Sequence, residues 1–227
     1  MMSNDTIPDR QVTMNPIWEA LKHLVTDYHS HPLDFFNEHD VQAVLHGYLR
    51  REFEKCNIRL PASLCNVRKT PAYERSTYSP VKAEYSFDTQ YSFGTEARPA
   101  RGRFDLAILT GEQDQHATIW YQPVRVAIEI KLWTTVDGGG PRQDVAKLKN
   151  YHHAARAKGC NFTGLSLLFV HPGAERFLDM PVYGHLNTRE PVHFFEEGVA
   201  LQIITPESWE QVDVGGWVSE CDLERSR

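Results

Sequence analysis

Two acids and a lysine stand where residues of their types are out of place. Asp105 lies near the start of residues 103–110, RFDLAILT, and Glu129 lies inside residues 124–132, VRVAIEIKL, with Lys131 two positions later. Both runs read as strands, although acids are depleted there. In the second, Val124, Val126, Ile128, Ile130 and Leu132 alternate with Arg125, Ala127, Glu129 and Lys131, the period of a strand with one face in a core. Positions i and i+2 of a strand share a face, so Glu129 and Lys131 project together. Carboxylates are ligands for hard cations, and an ammonium group stabilises developing negative charge. Each residue alone has a plainer reading: Glu129 and Lys131 on the solvated face of an edge strand, and Asp105 closing a turn.

Asp105, a gap of twenty-three residues, and Glu129-Ile130-Lys131 together resemble the D…(D/E)xK motif of the PD-(D/E)XK nuclease superfamily, the restriction-endonuclease-like fold. The gap suits two neighbouring antiparallel strands joined by a loop. Phe104 stands where the superfamily's name has Pro, a position that varies among its members. The resemblance implies a Mg²⁺-dependent phosphodiesterase, with Mn²⁺ able to substitute, acting on nucleic acid, DNA ahead of RNA. Asp105 and Glu129 would hold the cation, and Lys131 would orient the attacking water or stabilise the transition state. A cation so held lowers the pKa of water and neutralises the charge that grows on the phosphate. Many members carry a further acid on the first core helix; here a carboxylate from the first helix or the first strand could complete the site, and three glutamates are available. Glu38 is at a helix start, Glu84 on the polar face of a strand, and Glu52 deep in a helix, where an unpaired carboxylate is costly to bury. They rank in that order, although Glu38 would serve equally well by complementing the helix dipole.

The elements that must position these residues are legible in outline. Residues 37–55 are the strongest helix, with Asn37 as N-cap and Asp40 at the third helical position, a near match to a capping box. Val41, Val44, Leu45, Tyr48, Leu49 and Phe53 form its buried stripe. An earlier helix over 16–28 puts Ile17, Leu21, Leu24 and Val25 on one face, and His29-Ser30-His31-Pro32 breaks it. Residues 81–88 alternate, with Val81, Ala83, Tyr85 and Phe87 on one face and Lys82, Glu84, Ser86 and Asp88 on the other. Gly138-Gly139-Gly140 lacks the Walker pattern and reads as a loop bordering the cleft. Residues 141–158 form a helix stopped by Gly159, with Val145, Leu148 and Ala155 inward. Its polar residues Gln143, Asp144 and Lys147 are site candidates or ordinary surface. Residues 163–171, TGLSLLFVH, are an interior strand, and 199–205, VALQIIT, a further one. The order helix, strand, strand, strand, helix, strand is that of the restriction-endonuclease-like core. The expected class is therefore α/β, a central mixed sheet flanked by helices, with the resemblance covering roughly residues 37–171. The expected division is an N-terminal arm and helix over 1–36, a nuclease-like domain over 37–205 and a tail over 206–227.

Composition sets the remaining bounds. An apolar content of 41% and a charged content of 24% are ordinary for a globular chain. No apolar run has the length of a membrane span, the start MMSNDTIPDR is not a signal peptide, and the four cysteines show no CxxC spacing. A cytoplasmic location without a membrane partner is the expectation. A net charge of −6 argues against a basic coat, so grip on nucleic acid must be local. Arg98, Arg101 and Arg103 before the first acid, and Arg142 and Lys147 after the motif, are the candidate phosphate contacts. A domain of this size would commonly form a homodimer to cut two strands, but no interface is legible. The competing reading is a catalytically silent nucleic-acid-binding or assembly protein on the same fold. A hydrolase built on the histidines lacks any Ser/His/Asp or HExxH pattern.

Overall fold

A computed structural model describes residues 14–62, 76–87, 102–110, 122–133, 140–157, 159–172, 174 and 198–212. Helix α1 spans Asn15–Ser30 and turns Ile17, Ala20, Leu21, Leu24, Val25 and Tyr28 inward, the stripe that a 3.6-residue period produces. A 3₁₀ turn, Pro32–Asp34, leads to helix α2, Glu38–Lys55. Its start is a complete capping box: the Asn37 side chain accepts from the His39 and Asp40 N–H groups, and Asp40 accepts the N–H of Asn37. These bonds satisfy donors that a helix start otherwise leaves orphaned. Strands β1 (Leu60–Pro61) and β2 (Thr77–Tyr78) form a small antiparallel ribbon.

The main sheet has six strands: β3 (Val81–Phe87), β4 (Gly102–Leu109), β5 (Val124–Trp133), β6 (Thr163–Val170), β7 (Gly198–Ile204) and β8 (Trp209–Val212), adjacent in that order. β3, β4 and β5 are antiparallel neighbours, β5, β6 and β7 run parallel, and β8 returns antiparallel. Between β5 and β6 lies helix α3, Gly140–Ala157, the crossover that a parallel pair requires. The fold is thus α/β with a mixed sheet. Among the described residues no helix is long and apolar enough to cross a membrane.

The two faces have different covers. α1 and α2 pack on Leu106, Ile108, Val126, Ile128, Ile130, Leu165, Leu167 and Phe169. α3 packs on the other face through Val145, Leu148, Tyr151 and Ala155, against Phe104, Ala127, Leu168 and Leu201. Three expectations change as a result. β5 is buried on both faces, not one, because its odd positions lie beneath α3. α1 is not apart from the rest, since its whole apolar stripe joins the α2–sheet core. The stretch expected as a tail contributes β8, whose Trp209 stacks on Trp18 of α1 with centroids 5.1 Å apart.

α3 approaches β6 closely at Gly164, where a Cβ would stand 2.8 Å from the Leu148 Cβ and 3.0 Å from the Val199 Cγ2. Neither neighbour is a flexible chain end. Gly164→Ala is expected to push α3 outward and to destabilise the protein by about 1–3 kcal/mol. Thermal denaturation checks it: an unchanged melting temperature would mean that α3 is free to shift.

Candidate active site

β4 and β5 are paired from Leu109↔Val124 as far as Leu106↔Ile128, and their register ends there. At the fork, a side chain takes over from the ladder: the Ile130 N–H donates to Asp105 Oδ2 at 2.7 Å. An acid inside an apolar strand is accounted for locally, because its carboxylate satisfies a buried backbone donor. Facing the fork on β3 is Glu84, between the pairs Ala83↔Leu106 and Tyr85↔Phe104. Its φ is +50°, a left-handed conformation uncommon for a non-glycine residue and concentrated at functional sites.

The alternation expected for β3 does not survive this point. Val81 joins the α1–α2 side and Tyr85 the α3 side, although four residues apart they should share a face. Phe104 and Leu106 on β4 are divided in the same way. Both strands turn over at the Glu84–Asp105 position, which a pattern of apolar residues cannot reveal.

Four further side chains reach the fork. Gln42 of α2 donates from Nε2 to Glu84 Oε1 at 2.8 Å and to the Asp105 carbonyl at 2.7 Å, using both hydrogens of its amide. Lys131 Nζ donates to Glu38 Oε2 at 3.1 Å and lies 3.8 Å from Asp144 Oδ2 of α3. Lys147, also on α3, holds Glu129 Oε2 at 2.6 Å and donates to the Arg103 carbonyl at 3.0 Å. Arg103 Nε lies 2.6 Å from Glu84 Oε2.

The electrostatics follow from burial. Glu129 is 2% exposed, and its carboxyl is pushed up to about 8 by desolvation, against the pull of Lys147. Asp144 is raised to about 6 by the same desolvation, against Lys131 and Lys147. Desolvation also raises Asp105, opposed by the Ile130 N–H and the two lysines. Lys131 is partly desolvated, which works against its charge, yet Asp144, Glu38 and Asp105 together hold its pKa above the ordinary lysine value.

Of the candidates from sequence, Asp105, Glu129 and Lys131 are brought together, with Glu38 reached through Lys131 and Glu84 through Gln42. Glu52 is elsewhere: it is buried but meets Arg51, Lys55 and His23, the basic partners that its burial required. Lys147 points inward onto Glu129 instead of outward as a phosphate contact, and Arg103 is turned to Glu84. Arg98 and Arg101, like residues 134–139 with most of the glycine loop, lie outside the described residues, as does the side chain of Arg142. Sequence reasoning missed Gln42, although a polar residue directly beside Val41 on the buried stripe was a usable signal. Asp144, named from the sequence as a site candidate or ordinary surface, is buried and faces Lys131.

Does this set suit a divalent cation? Five carboxyl groups (Glu38, Glu84, Asp105, Glu129, Asp144) face three basic groups (Arg103, Lys131, Lys147), two more acids than bases. Glu129 Oε1 and Asp144 Oδ2 are buried without a hydrogen-bond partner. Among the described residues no three His, Cys, Asp or Glu side chains are gathered in metal-binding geometry, since the lysines stand between the acids. Mg²⁺ needs only one or two carboxylates and keeps several waters. The surplus of acids and the two oxygens without hydrogen bonds fit such an ion. No family model, curated protein or solved structure matches this chain.

Proposed function

We propose that the protein is a Mg²⁺-dependent nuclease of the PD-(D/E)XK type, built on a restriction-endonuclease-like core, cutting DNA ahead of RNA in the cytoplasm. The observation that carries this reading is the fork, where Asp105 and Glu129 on parting strands share one end of the sheet with Lys131. The element order α2, β3, β4, β5, α3, β6 supports it, being the order of that core. A bound Mg²⁺ or Mn²⁺ would be held by Asp105 and Glu129, with Glu38, Glu84 or Asp144 as further acids, and would supply Lewis-acid neutralisation of phosphate charge.

The chain's own residues have separable tasks. The Ile130 N–H fixes the rotamer of Asp105 where β4 and β5 part, and Gln42 ties the Asp105 backbone of β4 to Glu84 of β3. Lys131 is 29% exposed along its side chain, within reach of a substrate phosphate. Its raised pKa keeps it protonated at neutral pH, which suits it to stabilising negative charge and orienting water and not to accepting a proton. Lys147 holds Glu129 from the α3 side and leaves Oε1 as the carboxylate's uncommitted oxygen.

One observation favours the alternative of a catalytically silent binding protein: both lysines are already paired with carboxylates. Cleavage assays separate the two. Labelled single-stranded and duplex DNA and RNA should be cut with Mg²⁺ or Mn²⁺ and left intact with a chelator. Binding without cleavage under every cation condition would establish the silent reading instead.

A further inference from the structure

Lys147 reaches the site from α3 and ends on oxygens of two different strands. Its Nζ lies 2.6 Å from Glu129 Oε2 of β5 and donates to the Arg103 carbonyl of β4 at 3.0 Å. Arg103 stands two positions before Asp105, so the second contact lies on the strand that carries the first acid. A carboxylate oxygen and a backbone carbonyl are hard donors of the kind that divalent cations take. Here an ammonium group holds them. The other oxygen of the same carboxylate, Glu129 Oε1, is buried without a hydrogen bond, as is Asp144 Oδ2 of α3. Glu129 thus has one oxygen committed to a cation and one uncommitted. The Lys147 charge is also felt at Asp105 and Asp144.

We propose that Lys147 is a resident cation: its ammonium group fills the place of a second metal ion, so the site takes a single divalent ion beside it. This rests on the nuclease reading and deepens it by giving α3 a part in the chemistry. In two-metal phosphodiesterases the cations stand about 3.5–4 Å apart and together offset charge on the attacking and leaving oxygens. A carboxylate can join two such cations, one per oxygen, and Glu129 stands so with Lys147 on Oε2. An ammonium group has three donors, of which the two contacts use two. With the side chain 27% exposed, the third remains for an oxygen of the phosphate under attack, a different task from gripping the outer backbone. Charge agrees. Fully ionised, the five carboxyl groups exceed the three bases by two, the charge of one divalent ion. A second such ion would leave an uncompensated positive excess in a largely buried site, which is costly.

The test counts ions. Titration calorimetry of the parent with Mn²⁺ alone should give one ion per chain, and electron paramagnetic resonance should show the spectrum of an isolated Mn²⁺. Lys147→Met keeps the length of the side chain and removes its charge and donors. The vacated seat should then admit a second Mn²⁺, with the spectrum broadened by coupling between neighbouring ions. Lys147→Gln removes the charge but leaves an amide able to donate to Glu129, so it guards against misfolding of Lys147→Met and should also rise from one ion to two. Lys147→Arg keeps the charge and should stay at one. If the neutral variants are folded by circular dichroism and still bind one ion, Lys147 is only a structural partner of Glu129 and the proposal is overturned. Two ions in the parent would overturn it as well, leaving the nuclease reading intact. A parent that binds no Mn²⁺ and cuts nothing with Mg²⁺ removes both.

Discussion

Asp105→Asn yields a folded protein whose Mg²⁺-dependent cleavage is slower than the parent's by about a hundredfold or more. Asparagine keeps an oxygen able to accept the Ile130 N–H, so the fork survives while a charge disappears. Asp105→Ala removes the acceptor as well. It leaves a buried backbone donor unsatisfied, at about 1–3 kcal/mol, and so confounds folding with chemistry. The pair of variants separates the two roles: equal loss of activity, unequal loss of stability. Glu129→Gln should lose activity to the same degree, since the amide can still accept from Lys147 but carries no charge. Lys131→Met should lower kcat more than it raises KM, as expected for a group that acts on the transition state. Cleavage by Asp105→Asn or Glu129→Gln at the parental rate would remove that residue from the site.

What could be read from the sequence was whatever has a period or a local partner. The β5 alternation, the apolar run of β6 and the α2 start with its Asn37–Asp40 box are of this kind. So is the end of α3 at Gly159, whose φ of +74° suits glycine. What could not be read depends on the third dimension. Which face of β5 is covered is decided by α3, a helix that comes later in the chain. Glu84 takes a left-handed φ with no glycine to signal it, and that one residue reverses the faces of Val81 and Tyr85. Lys147 looks like surface because lysine is usually surface, but an acid buried beneath α3 draws it inward. The fork shows the same limit. Asp105 and Glu129 were recognisable as misplaced acids, whereas the partner that holds Asp105 is a backbone N–H, which no side-chain pattern displays. Gln42 lies between these cases, conspicuous only once the stripe around it is known to be buried.

In the absence of divalent cations the protein should be more stable near about pH 5 than near about pH 9, and Glu129 should be the main reason. The sign follows from its raised pKa, about 8 in the folded chain against an ordinary 4.5. Between those values the folded state keeps a proton that the unfolded state has released. The stabilisation is therefore complete below the ordinary glutamate pKa and is lost as pH rises through about 8. Asp144, raised from 3.8 to about 6, acts in the same direction over a lower window. Each tenfold change in proton affinity corresponds to about 1.4 kcal/mol, and a chain of this size loses about 2–4 °C of melting temperature per kcal/mol. The fall across the window should be on the order of 10–20 °C. Glu129→Gln cannot ionise at this position, so its profile in chelator should lie above the parent's at alkaline pH and be much flatter. Scanning calorimetry of parent and variant across this range decides it, with the difference between the two curves isolating Glu129 from the chain's other titrating groups. Parallel curves would mean that Lys147 keeps Glu129 ionised throughout, and that burial is not what governs its charge.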